Sequence, residues 1–216
     1  MTLLVLSLHI TAGFVALAMA GLALASPKGK TWHRRSGSLY VAAMFTVSLS
    51  TLWLVVVRPN PFLLAVGVFS FFLVFTGWRA ARIRDGRPRW IDHLVGSLMA
   101  GAGLTMLITA VVGFIHNGGA QPWILLVFGS IGLSLALSDW RDWRQGPIVG
   151  KQRIARHLGR MLAGTIATLT AALVVNATWL PDLVTWLAPT VLITPVIVWW
   201  NARVLNGGTE QQAKKA

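Results

Sequence analysis

Seven stretches of about 20 apolar residues, each nearly free of charge, leave this 216-residue chain few folds to choose from. They run near 3–25, 37–57, 62–82, 91–115, 123–138, 154–175 and 183–205. A helix rises ~1.5 Å per residue, so about 20 residues cross ~30 Å of hydrocarbon. Inside that layer every backbone polar group must find a partner, and a helix supplies one within its own segment. The spans therefore predict an all-α, polytopic membrane helix bundle of about seven transmembrane helices. Only 12% of residues are charged, roughly half the share in an average soluble domain. A single transmembrane domain over 1–206 is expected, followed by a short cytoplasmic tail, 207–216, expected to be disordered.

The breaks between spans have local causes. Pro59-Asn60-Pro61 fixes φ twice and removes two donors, which ends one helix and starts the next. Asn117-Gly118-Gly119 and Gln145-Gly146-Pro147 read as loops, and Pro181 suits a helix start. Pro189 and Pro195 fall inside the last span, where proline is expected to kink a helix. The first span resembles a cleavable signal at Ala23-Leu24-Ala25. No basic region precedes it, however, and it is too long for such a segment, so a retained helix is expected.

Direction follows from charge. Of the 19 Lys and Arg, 18 fall in the odd-numbered loops and the tail, and Arg58 alone falls on the other side. By the positive-inside rule the N-terminus lies outside and the C-terminus in the cytoplasm. The net charge of +13 is then an orientation signal and not a nucleic-acid footprint. The expected setting is a bacterial inner membrane, with the bilayer and its anionic headgroups as partners and protein partners unknown. The absence of Cys excludes disulfide scaffolds and thiolate–zinc sites.

Helix packing in lipid uses small residues that let backbones approach. Ala12, Ala16 and Ala20 supply such a stripe in the first span, and Gly96, Ala100 and Gly103 in the fourth. Ser130, Ser134 and Ser138 do so in the fifth, and Ala163, Ala167 and Ala171 in the sixth. The third span carries Phe69, Phe71, Phe72 and Phe75 and is expected to face lipid, leaving spans one, two, four and six inside.

Five histidines are the candidate ligands. His33, His93 and His157 open the even-numbered helices at one depth, in a weak repeat: His33 before Gly37-Ser38-Leu39, His93 before Gly96-Ser97-Leu98, His157 before Gly159-Arg160-Met161. His9 shares a face with Ala12, Gly13, Ala16 and Ala20, and an ionisable group within a span is a functional hypothesis. His116 sits in the outer loop. The plain alternatives are helix-end hydrogen bonds for His93 and His157, headgroup contact for His33, and an interhelical hydrogen bond for His9.

Three segments carry a resemblance: His9-Ile10-Thr11-Ala12-Gly13, the run from His33 to Val41, and His157-Leu158-Gly159-Arg160-Met161. The tail segment Trp186-Leu187-Ala188-Pro189-Thr190 joins them. With these the chain resembles the bacterial membrane-protein family called domain of unknown function 2306. The resemblance implies a multi-helix inner-membrane protein and no particular activity.

Three functional classes follow. In the first, His33, His93 and His157 hold zinc or copper in an open three-histidine site. Its variant is haem b, with His93 and His157 as inner ligands and His9 with His116 outside. In the second, a membrane-interface enzyme uses Asp92 as base while Arg34, Arg35, Arg156 and Arg160 hold a phosphorylated or lipid substrate; Asp85, Asp139 and Asp142 read as loop charges. In the third, the chain is a structural subunit or transporter that needs a partner.

Overall fold

A computed structural model describes residues 1–116 and 118–207. The expected disordered tail beyond Gly207, and Asn117 of the loop after the fourth span, lie outside the described residues. Among the described residues the secondary structure is entirely helical. The helices are α1 (Thr2–Ala25), α2 (Thr31–Val57), α3 (Pro61–Arg82), α4 (Trp90–His116), α5 (Ala120–Gln145), α6 (Gly150–Asn176) and α7 (Asp182–Asn206). All seven are long and apolar enough to span a membrane. This chain is a multi-pass membrane helix bundle.

Local sequence explains where the helices begin. Asn60 caps α3, its side chain accepting from Leu63 N–H at 3.0 Å, with Pro61 in the first turn. In the first turn of α4, the Asp92 carboxylate accepts from the Arg89 backbone N–H at 2.7 Å, the reach-back half of a capping box. The fifth helix runs to Gln145 and not to Ser138, so Asp139 and Asp142 are helical residues and not loop charges.

The third helix is the centre of the bundle: it touches α2, α4, α5 and α6. Its Phe69, Phe72, Leu73 and Phe75 share one core with Met99 and Met106 of α4 and Phe128 and Ala136 of α5. This overturns the lipid-facing expectation for α3. Glycines make room for the phenylalanines. A Cβ on Gly132 would lie 2.4 Å from Met99 Cε and 3.1 Å from Phe69 Cδ2. The backbones of α4 and α5 meet at Gly103 and Gly129, where a Cβ on Gly129 would lie 3.0 Å from the Gly103 carbonyl oxygen.

The small-residue stripes fare unequally. Ala12, Ala16 and Ala20 are the buried residues of α1, and Ala16 and Ala20 share a core with Tyr40 and Met44 of α2. In α5 the buried line is Gly129, Gly132, Ala136 and Asp139, while Ser130 and Ser134 are exposed. In α6 it is Leu162, Gly164, Thr165, Ile166 and Thr168, while Ala171 is exposed. Helical periodicity admits more than one small-residue face, and packing uses the one that meets a complementary notch.

One end of the bundle gathers the basic loops. There the C-terminal ends of α1, α3, α5 and α7 meet the N-terminal ends of α2, α4 and α6. His33 reaches the Ala23 carbonyl across α1–α2, and Lys151 reaches the Leu205 carbonyl across α6–α7. Arg153 donates to the Ala80 and Ala81 carbonyls at 2.8 and 3.1 Å, which closes the open end of α3. Ile148 N–H bonds the Gly86 carbonyl at 3.0 Å. Gly86 has φ +66°, and a Cβ there would lie 2.3 Å from the Ile148 carbonyl oxygen, so only glycine fits this crossing of two loops.

Candidate functional site

The histidines do not converge. His33 and His157 meet edge to face with ring centroids 6.4 Å apart. His93 is exposed and packs on Trp143 of α5 at 4.7 Å, because α4 joins the bundle from the far side of α3. His9 bonds Ser50 Oγ through Nδ1 at 2.9 Å. That hydroxyl gives its one hydrogen to the Thr46 or Val47 carbonyl, so His9 is the donor, and its role is an α1–α2 bridge. His116, at the end of α4, is exposed. Among the described residues, no three His, Cys, Asp or Glu side chains are gathered to hold a metal ion. The set His33, His93 and His157 is thus split two and one. The haem set His9, His93 and His157 is spread over three separate contacts.

The two imidazoles that do meet have structural work. His33 Nδ1 donates to the Ala23 carbonyl at 3.0 Å, and His157 Nδ1 to the Gly77 carbonyl at 2.9 Å. The weak sequence repeat thus gives His33 and His157 one role, an even helix holding a carbonyl of an odd one, and gives His93 another. Lys28 completes the α1 end, donating to the Leu24 carbonyl at 2.5 Å and lying over Trp200 at 5.3 Å. Partial burial lowers its ammonium pKa from the ordinary lysine value.

The charged residues are what the fold brings together. Arg79 of α3 grips Asp92 with Nε on Oδ1 at 2.7 Å and Nη2 on Oδ2. With the Arg89 N–H also on Oδ2, the Asp92 oxygens are taken, and the residue is a helix anchor instead of the free base expected from sequence. A second group joins α5 to α6. Asp139 is 0% exposed and Arg160 5%. Arg160 Nη2 donates to Asp139 Oδ1 at 2.5 Å and to the Leu135 carbonyl at 3.1 Å. Arg156 Nη2 lies 2.7 Å from Asp142 Oδ2 and 3.3 Å from Asp139 Oδ1. The Arg160 guanidinium also lies over the Phe72 ring at 4.9 Å, a favourable cation–π placement.

This group forms the polar end of a cleft of about 670 Å³ between α5, α6 and α7, within the range of small-molecule sites. Deeper in, the walls are Phe69, Phe128, Ile131 and Ile166. The third wall is a stripe of α7, Thr190, Thr194, Ile197 and Asn201, at the helical spacing that keeps residues on one face. Asn201 approaches because residue 159 is glycine: a Cβ there would lie 3.0 Å from Asn201 Nδ2. Asp139 and Arg156 also line a smaller crevice of about 50 Å³ toward Arg79 and Asp92.

Five buried side-chain polar atoms of the described residues have no hydrogen-bond partner: Asp139 Oδ2, Arg160 Nη1, Thr170 Oγ1, Thr190 Oγ1 and Asn201 Oδ1. Four of them belong to residues lining this one cleft.

The sequence singles out Arg156 and Arg160, gives Asp139 only as a loop charge near the histidines, and does not mark Asn201. A signal existed for Asp139. Asp139 and Asp142 are three apart, Arg156 and Arg160 four apart, and each pair shares a helix face. Nothing in sequence marks Asn201, whose place depends on how α7 lies against Gly159. No family model, curated protein or solved structure matches the chain.

Proposed function

We propose that this protein takes an amphiphilic molecule from the bilayer into the α5–α6–α7 cleft. The polar head meets Arg156, Arg160 and Asn201, and the apolar part lies along Phe128, Ile131 and Ile166. The observation that carries the reading is a cleft of about 670 Å³ with charged side chains at one end and apolar walls beyond them. Its apolar depth suits a molecule that already lives in the membrane. The charge asymmetry of the loops puts the N-terminus outside and the C-terminus in the cytoplasm, so the head lies at the cytoplasmic surface of an inner membrane. Arg156 and Arg160 then serve the headgroup role expected of them in sequence, without Asp92 as a base.

Filling the cleft is the test. Ile197→Trp adds an indole to its α7 wall without touching a charged residue. The parent, purified in mild detergent and analysed by mass spectrometry, is expected to carry about one amphiphile per chain. The variant is expected to lose most of it while melting at or above the parental temperature. A parent with no retained amphiphile, or a variant that retains it fully, would overturn the reading.

A further inference from the structure

We propose that the smaller crevice, where the α3–α4 and α5–α6 loops cross, is a binding site for a phosphate dianion, either free or at the end of a phosphomonoester. The site does not depend on what the α5–α6–α7 cleft holds, although Arg156 lines both.

The charge around this crevice is unbalanced. Its walls carry four arginines, Arg79, Arg87, Arg153 and Arg156, and two aspartates, Asp92 and Asp139. Asp142 and Arg160 join them through ion pairs, which makes five positive side chains against three negative ones. The two aspartates offer an entering anion little to oppose it. Both Asp92 oxygens are taken by Arg79 and the Arg89 N–H, and Asp139 is 0% exposed.

The arginines keep donors in reserve. Arg79 uses Nε and Nη2 on Asp92, Arg153 uses Nη1 on the Ala80 and Ala81 carbonyls, and Arg156 uses Nη2 on Asp142. A guanidinium has five N–H bonds. Arg79 Nη1, Arg153 Nε and Nη2, and Arg156 Nε and Nη1 therefore still have hydrogens to give. None of these nitrogens is among the buried unpartnered atoms of the described residues, so each keeps surface that an acceptor can reach. The bonds already made hold the three side chains in place, which lowers the entropy lost on binding. The rim is fixed as well, because Ile148 N–H bonds the Gly86 carbonyl at 3.0 Å and both residues line the crevice.

Size and chemistry select the ligand class. A space of about 50 Å³ admits one small tetrahedral group and no ring system. A phosphate carries about −1.5 to −2 charges at neutral pH, with several strong acceptor oxygens. That matches an excess of two positive side chains and donors arriving from α3 and from two positions of α6. A carboxylate brings one charge and two coplanar oxygens and leaves part of both unmet. Guanidinium and phosphate also form the stronger, charge-assisted hydrogen bonds. The positive-inside rule assigns this end of the bundle to the cytoplasm, so the phosphate comes from solution there or from a lipid of the inner leaflet.

The experiment titrates full-length protein in non-ionic detergent with inorganic phosphate, replacing chloride at constant ionic strength, and reads calorimetry and melting temperature. About one phosphate per chain is expected to bind saturably and to raise the melting temperature. Arg87→Gln alters an exposed side chain, and Arg153→Gln keeps a donor for the α3 carbonyls. Each is expected to weaken binding about tenfold, the worth of roughly one charge-assisted hydrogen bond. Arg84→Gln removes the same charge from an exposed loop position that does not line the crevice, and is expected to weaken binding less than about twofold. Short-chain phosphatidic acid, used below its micelle concentration, separates the two sources. Displacement of phosphate at a much lower concentration than phosphate itself requires assigns the site to a lipid phosphomonoester, and no such advantage assigns it to the free ion. Equal weakening by all three variants would reduce the binding to the diffuse charge of the loops and overturn the site. Unchanged affinity in Arg87→Gln and Arg153→Gln, or no saturable binding of either probe to the parent, would overturn it as well.

Discussion

Removing the Arg160 guanidinium strands a carboxylate that has no solvent contact, whereas removing both ends of the pair strands far less. Arg160→Leu is therefore expected to cost about 3–5 kcal/mol, and Arg160→Leu with Asp139→Leu to recover most of that loss. Unfolding in detergent measures both, and a double variant no more stable than the single would show that the pair is not the energetic unit. Arg156, 3.3 Å from Asp139, softens the single change without replacing the 2.5 Å bond. The same residues show what could be read before any fold was known. Histidine attracts notice by its chemistry, yet His9, His33 and His157 use Nδ1 for hydrogen bonds that hold helices together. Asp139 reads as a loop charge in sequence because the fifth span loses its apolar character near Ser138, although the helix itself continues to Gln145.

At the scale of the element, the number and order of helices were legible and their environments only partly so. Lipid tails are as apolar as a leucine core, so hydrophobicity alone does not separate a central helix from a peripheral one. That is why the phenylalanines of α3 pointed equally well to lipid and to the core. Steric fit separates the two cases. Gly132→Leu is expected to destabilise the protein by about 1–3 kcal/mol, the usual cost of overpacking, since Met99 and Phe69 already occupy the space. Gly101→Leu, with nothing within 4 Å of its Cβ position, should leave the melting temperature close to that of the parent. Equal melting of the two variants would remove α3–α4–α5 packing as the centre of the fold.

At the scale of the whole molecule, sidedness rests on the loops. A reporter active only in the cytoplasm is expected to work when fused after Ala216, and one active only outside when inserted at Gly118–Gly119. The reverse pattern would turn the polar end of the cleft to the other surface. The Asp139–Arg160 contact also bears on how the chain is made. Asp139 leaves the ribosome ahead of Arg156 and Arg160, and an unaccompanied Asp at the centre of a helix opposes insertion by about 2.5–3.5 kcal/mol. Near a helix end the penalty is smaller, but it falls on α5 alone until α6 arrives. The fifth and sixth helices are therefore suited to enter the membrane as a hairpin, each carrying the counter-ion of the other. A nascent chain stopped before α6 would hold α5 at the surface, waiting for its partner to be translated.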